Sequence, residues 1–208
     1  MTARKSYLLV AVVFAWVALA LQFHIVVDRF SAEGLPFAEA FIRFASYFTV
    51  TTNTLVAVLL TLSLLDRAPR PPAIAAATVY IIIVGLIYYV LLSKSWNPHG
   101  IQLVANVGLH YVMPAVTIVY WLVFVPKGET RWSHAVWWLI YPFLYFIYTL
   151  AEGLRVNWYP YPFVDVNALG YLKVMINGAV LLVFFFALNL GMISLDRMLG
   201  RKALPQAT

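Results

Sequence analysis

The chain has 208 residues, 63% of them hydrophobic and only 11% charged, with 14 Lys and Arg against 8 Asp and Glu for a formal net charge of +6. A soluble domain of this size has too little interior to hide so much apolar surface, which excludes an ordinary globular domain and makes lipid the solvent. No cysteine is present, which excludes disulfides, thiolate metal sites and a cysteine nucleophile.

Six apolar runs predict transmembrane helices over roughly 6–27, 43–65, 73–92, 101–125, 135–152 and 168–194. The first run is longer than a signal-peptide core and lacks a small-x-small cleavage site, so it reads as a retained span. The second contains a polar stretch, Phe48-Thr49-Val50-Thr51-Thr52-Asn53-Thr54, and leads into a stiff turn, Arg67-Ala68-Pro69-Arg70-Pro71-Pro72. The fourth carries Asn106-Val107-Gly108-Leu109-His110, and the fifth is short and contains Pro142. A loop of alternating aromatics and prolines, Trp158-Tyr159-Pro160-Tyr161-Pro162-Phe163-Val164-Asp165, precedes the sixth. It suits an extended aromatic belt at the interface or a lid with Asp165 as its polar tip. No internal repeat and no linker is visible, so residues 1–208 read as a single all-α domain, a bundle of six transmembrane helices.

Charge sets the expected orientation. The loops on the side shared by both termini hold nine basic residues against three acidic ones, whereas the other side holds five of each. The positive-inside rule then places both termini in the cytoplasm. The basic balance reports topology and anionic headgroups, with no sign of a nucleic-acid partner.

Polar residues recur at one depth in the outer half. With the second span entering near Arg43, Thr49 falls about one and a half turns down and Asn53 about a turn deeper. Asn106 and His110 match that depth in the fourth span, as Lys173 and Asn177 do in the sixth. Thr49, Thr52 and Asn53 share a helix face, and each of the other pairs is spaced i, i+4. Polar groups in hydrocarbon are costly, and three such faces at one level describe a cavity. Each residue also has a plainer reading. Threonines back-bond to the preceding turn or join neighbouring helices. His110 could be a satisfied interhelical hydrogen bond, Lys173 could snorkel to headgroups, and Glu152 could pair with Arg155. Thr51 points away from the Thr49 face by helical phase, but the residues alone do not choose the nucleophile among the threonines.

These segments resemble the androgen-induced-gene family of integral membrane hydrolases, which includes the androgen-dependent tissue-factor-pathway-inhibitor-regulating protein. The resemblance rests on Phe48-Thr49-Val50 with Ala57-Val58 downstream, on Asn106-Val107-Gly108-Leu109-His110, and on Trp158 with Tyr161-Pro162-Phe163. It covers nearly the whole chain in order and topology, through short motifs. It implies a bacterial-type relative in the inner membrane, with a Thr–His dyad hydrolysing fatty acid esters of hydroxy fatty acids. Thr49 would be the nucleophile and His110 the base. Tyr111 follows the histidine where animal members carry threonine, their proline comes one residue later than Pro114, and Thr52-Asn53 departs from their acid-containing pattern. The natural substrate is therefore open to other lipid esters.

Such a dyad would pass through an acyl-threonine cleared by water activated by His110. Asn53, Asn106 and Lys173 are candidate donors to the oxyanion, an effect of ~3–4 kcal/mol per donor, with Thr52 and Asn177 beside them. Lys173 could instead hold the carboxylate of an amphiphilic substrate. The expected partners are that lipid substrate and membrane lipids, with no cofactor, no metal and no protein partner. Two other classes use the same polar layer: a small transporter or channel, and a haem- or quinone-binding protein built on His24 and His110.

Overall fold

Local sequence sets where each helix begins and stops. In a computed structural model, which describes residues 2–94 and 97–202, Thr2 caps α1 (Ala3–Ala32) by accepting the Lys5 amide. Its buried residues Leu8, Ala11, Ala15, Ala18 and Leu19 form a stripe at helical spacing. There follow α2 (Phe37–Ala45), α3 (Phe48–Leu64) and α4 (Pro71–Ile87), the last opening on two prolines where missing amides do no harm. A π turn, Tyr88–Leu92, ends α4. Then come α5 (Gly100–Val107), a second π turn (Gly108–Val112) and α6 (Met113–Phe124). The chain continues through α7 (His134–Trp137), α8 (Ile140–Val156), a 3-10 turn (Pro162–Val164) and α9 (Val166–Lys202).

Among the described residues, five helical stretches are long and apolar enough to cross a membrane: Ala3–Ala32, Pro71–Leu92, Gly100–Phe124, His134–Val156 and Val166–Arg201. The bent pair α2 and α3 makes a sixth if it counts as one span. The architecture is that of an all-helical, multi-pass membrane protein. The chain divides into two compact units, Met1–Val125 and Pro126–Thr208, at a boundary that the sequence does not announce.

In the first unit α4 is the central helix. Ala75, Ala77, Val79, Ile81 and Ile83 are each no more than 2% exposed, because α3 and α6 both pack on it. At one end of this unit Lys5 reaches Asp66 at 2.6 Å, so the start of α1 and the α3–α4 turn lie together.

The second predicted span needs correction. Residues 43–65 are not one helix: α2 ends at Ala45 and meets α3 at 79°. The Ser46 hydroxyl folds back onto the Ile42 carbonyl at 2.7 Å, and Tyr47 turns extended at φ −84°, ψ 129°. Arg43 therefore belongs to α2, and Thr49 sits in the first turn of α3 rather than one and a half turns inside a span.

In the second unit, Asp165 is a helix cap, its Oδ1 accepting the amides of Asn167 and Ala168 at 2.9 and 3.2 Å. That replaces the expected role as a lid tip. Tyr159 and Tyr161 are buried, and Tyr159 lies so close to Gly153 that a side chain there would strike the ring. Gly170, at φ 74°, kinks the start of α9. Glu152 and Arg155 pair at the surface, as the plainer reading had it. Near the far end of α9, buried Asp196 accepts three hydrogen bonds through one oxygen, from the Gly128 and Thr130 amides and the Thr130 hydroxyl.

Candidate functional site

Pro114 sets up the site. A proline has no amide for the carbonyl one turn back, and its ring crowds that carbonyl. Here that carbonyl is His110's, and the helix relaxes into a π turn in which the Met113 amide bonds to Gly108. The His110 carbonyl packs against α4 where Gly85 leaves room, since a Cβ at Gly85 would lie 2.9 Å from that oxygen. Gly108 likewise admits Ala18 of α1. Helices α1, α3 and α4 all pack on the turn that carries the histidine.

Within that frame Thr49 Oγ1 lies 3.3 Å from His110 Nε2. The other ring nitrogen, Nδ1, is 3.1 Å from the Asn106 carbonyl. A carbonyl only accepts, so Nδ1 carries the hydrogen, and the neutral ring presents a lone pair at Nε2 for the threonine hydroxyl. Threonine hydroxyl, imidazole and carbonyl stand in one line, the order that a nucleophile, its base and an orienting group would need, with a backbone oxygen where other sites use a carboxylate. Thr49 and His110 are both half-buried.

Tyr88, from the first π turn, covers the imidazole. The two rings stack with centroids 4.1 Å apart and 26° between planes. The Asn106 side-chain amide donates to the Tyr88 hydroxyl oxygen at 2.7 Å. Asn106 thus holds the histidine with its backbone and the covering tyrosine with its side chain. Both π turns contribute to the site, in keeping with the frequent placement of such bulges at functional centres.

Other expected roles change. Asn53 Nδ2 donates to the Thr49 carbonyl at 2.8 Å and the Leu109 carbonyl at 3.3 Å, which engages both of its amide hydrogens and removes it from the oxyanion donors. It ties the turn bearing the threonine to the turn bearing the histidine. Its Oδ1 is buried with no hydrogen-bond partner. Asn106 has one amide hydrogen directed at Tyr88, leaving the other. Thr52 is fully buried beside Asn53. Asn177 belongs to the second unit, where it donates to the Phe163 carbonyl at 2.8 Å and anchors the aromatic loop. Lys173, on the same helix, is exposed. His24 lies 3.4 Å from Asp28 on an exposed part of α1.

Sequence reasoning missed Tyr88 and Gly85. Tyr88 was hidden because tyrosine counts as apolar in a hydrophobic run, and Gly85 because a lone glycine in a span is common. Pro114, four residues after His110, was the visible signal for the π turn.

An apolar hollow of about 520 Å³ lies between α1, α2 and α3, with Thr51 and Thr54 on its wall. Comparison with family models, with curated proteins and with solved structures finds no match to this chain.

Proposed function

We propose that this protein is a membrane-embedded hydrolase that cleaves lipid esters through a threonine nucleophile and a histidine base. The observation carrying this reading is Thr49 Oγ1 at 3.3 Å from a His110 Nε2 whose tautomer is fixed by the Asn106 carbonyl. Nε2 takes the hydroxyl proton as Thr49 attacks the ester carbonyl. The imidazolium returns that proton to the leaving alcohol, giving an acyl-threonine. Water then attacks the acyl carbon, passing a proton to Nε2, which returns it to Thr49 Oγ1 as the acyl–oxygen bond breaks and the fatty acid leaves. The oxyanion donors that fit this scheme are the Tyr88 hydroxyl and the second Asn106 amide hydrogen, next to the ring.

The substrate class follows from the family resemblance together with the site's place among membrane-crossing helices: a fatty acyl ester, including esters of hydroxy fatty acids. Charge asymmetry supports cytoplasmic termini and, with them, a dyad in the outer half of the membrane, and the resemblance to a bacterial-type relative supports the inner membrane. The test is turnover of a lipid-ester panel by detergent-purified wild type, Thr49→Ala and His110→Ala. Release of fatty acid by wild type and its loss in both variants is the expected result. Equal release by all three proteins, or none by folded wild type, overturns the reading.

A further inference from the structure

The hollow between α1, α2 and α3 is a second feature, distinct from the dyad, whose side chains are not among its walls. Its volume of about 520 Å³ lies in the range of small-molecule sites, roughly 300–1,000 Å³. The bend between α2 and α3 creates it, since α2 turns 79° away from α3 and lies over the gap that α1 leaves. Phe23 of α1 closes one end and contacts Phe37, Phe41 and Phe44 of α2 with centroids 5.9, 6.3 and 5.0 Å away. Such edge-on aromatic contacts stiffen the wall.

The chemistry of the lining defines what fits. On the wall, the Thr51 hydroxyl back-bonds to the Phe48 carbonyl at 3.2 Å. The Trp16 indole nitrogen donates to Thr61 Oγ1 at 3.1 Å. Apart from the Thr54 hydroxyl, a ligand is therefore met by methyls, methylenes and ring faces. Among the described residues, the two arginines nearest in sequence each already have a carboxylate partner, Arg29 with Glu33 and Arg43 with Glu39. α1 is one of the membrane-crossing stretches, and α2 with α3 makes another if the bent pair counts as one span, so the walls of the hollow come from helices of membrane-spanning composition.

We infer that this elbow is a binding site for one acyl chain of a membrane lipid, selected by its hydrocarbon and indifferent to its headgroup. The inference goes beyond the hydrolase reading and stands without it.

The test uses full-length protein in phosphatidylcholine nanodiscs doped with a phosphatidylcholine bearing a diazirine on one acyl chain. After irradiation, adducts are mapped by peptide mass spectrometry. They should concentrate on Trp16, Ala20, Phe41 and Phe44, above those on Leu172 and Val183, exposed apolar residues of α9 that report ordinary surrounding lipid. Ala20→Phe fills the hollow and should lower the elbow adducts about tenfold, the ratio that 1.4 kcal/mol of lost binding gives. Ala45→Leu, a smaller filling change from the opposite wall, repeats the test should the first variant fail to fold. A phosphatidylglycerol probe should give the same map, and so should Thr49→Ala protein, which separates this inference from the catalytic one. Adducts spread evenly over elbow and α9, unchanged by either filling variant, would show surrounding lipid only and overturn the site. A map confined to the anionic probe would overturn the headgroup indifference.

Discussion

Replacing Gly85 with alanine puts a Cβ 2.9 Å from the His110 carbonyl oxygen and 3.4 Å from Pro114 Cγ. Ordinary contact begins at 3.4 Å, so α4 and the π turn must part by about half an ångström. The obstacle is backbone and cannot swing aside. The displacement falls on the residue bearing the imidazole, and adding it to the 3.3 Å between Thr49 and His110 carries that contact past the ~3.6 Å at which a hydrogen bond is lost. Overpacking of this kind costs about 1–3 kcal/mol, offset by up to ~1 kcal/mol because alanine favours helix over glycine. The net stability loss is then roughly zero to 2 kcal/mol, whereas a misplacement of about 1 Å lowers catalysis by about 10²-fold and half that shift by about tenfold. The assay pairs the rate of fluorophosphonate labelling with thermal unfolding, beside Gly191→Ala, where an added Cβ meets nothing within 4 Å. Gly85→Ala should label about tenfold more slowly with a small shift in Tm, and Gly191→Ala should match wild type. Wild-type labelling by Gly85→Ala, with Tm unchanged, would refute the idea that this close approach positions the histidine.

Tyr88→Phe keeps the stack on His110 but leaves the Asn106 amide without its acceptor. It should lower kcat by roughly tenfold, in line with the 1–3 kcal/mol of an unsatisfied buried group, and change KM little; Tyr88→Leu, losing the stack as well, should fall further. Acidification should slow labelling of wild type as Nε2 takes a proton, and the rate should recover when pH is raised, measured as rate against pH on protein shown to stay folded. Asp196→Ala leaves two amides and a hydroxyl without their shared acceptor. It should destabilise the protein by about 3 kcal/mol, since hydrogen bonds to a charged group run ~1.5–3 kcal/mol each and do not add fully; an unchanged unfolding temperature would contradict that role.

The sequence carries the apolar runs and the periodicity of the polar face, because both depend on residue type and spacing alone. Thr49, Asn53, Asn106 and His110 could be grouped that way, and the structure brings them together. The bend before α3 was hidden because 43–48 contain neither proline nor glycine; the break comes from a serine hydroxyl competing for its own helix's carbonyl. The side-chain amides were misjudged for a related reason. An amide looks like a free donor until its acceptor is known, and the acceptors of Asn53 and Asn177 are backbone carbonyls that no spacing rule points to. The orienting group on His110 was invisible for the same cause, being the carbonyl of Asn106 rather than an acid. Asp165 did carry a signal, an Asp directly ahead of a helical run, which the proline-rich context obscured.

The central claim is an activated threonine, and the most direct measurement is the site of covalent modification. Purified wild type is treated with a fluorophosphonate probe and the adduct is located by peptide mass spectrometry, with Thr49→Ala and His110→Ala alongside. The account predicts one adduct, on Thr49, absent from Thr49→Ala and nearly absent from His110→Ala although Thr49 is still present. A folded wild type that stays unlabelled, or an adduct on another threonine that survives loss of His110, would contradict it.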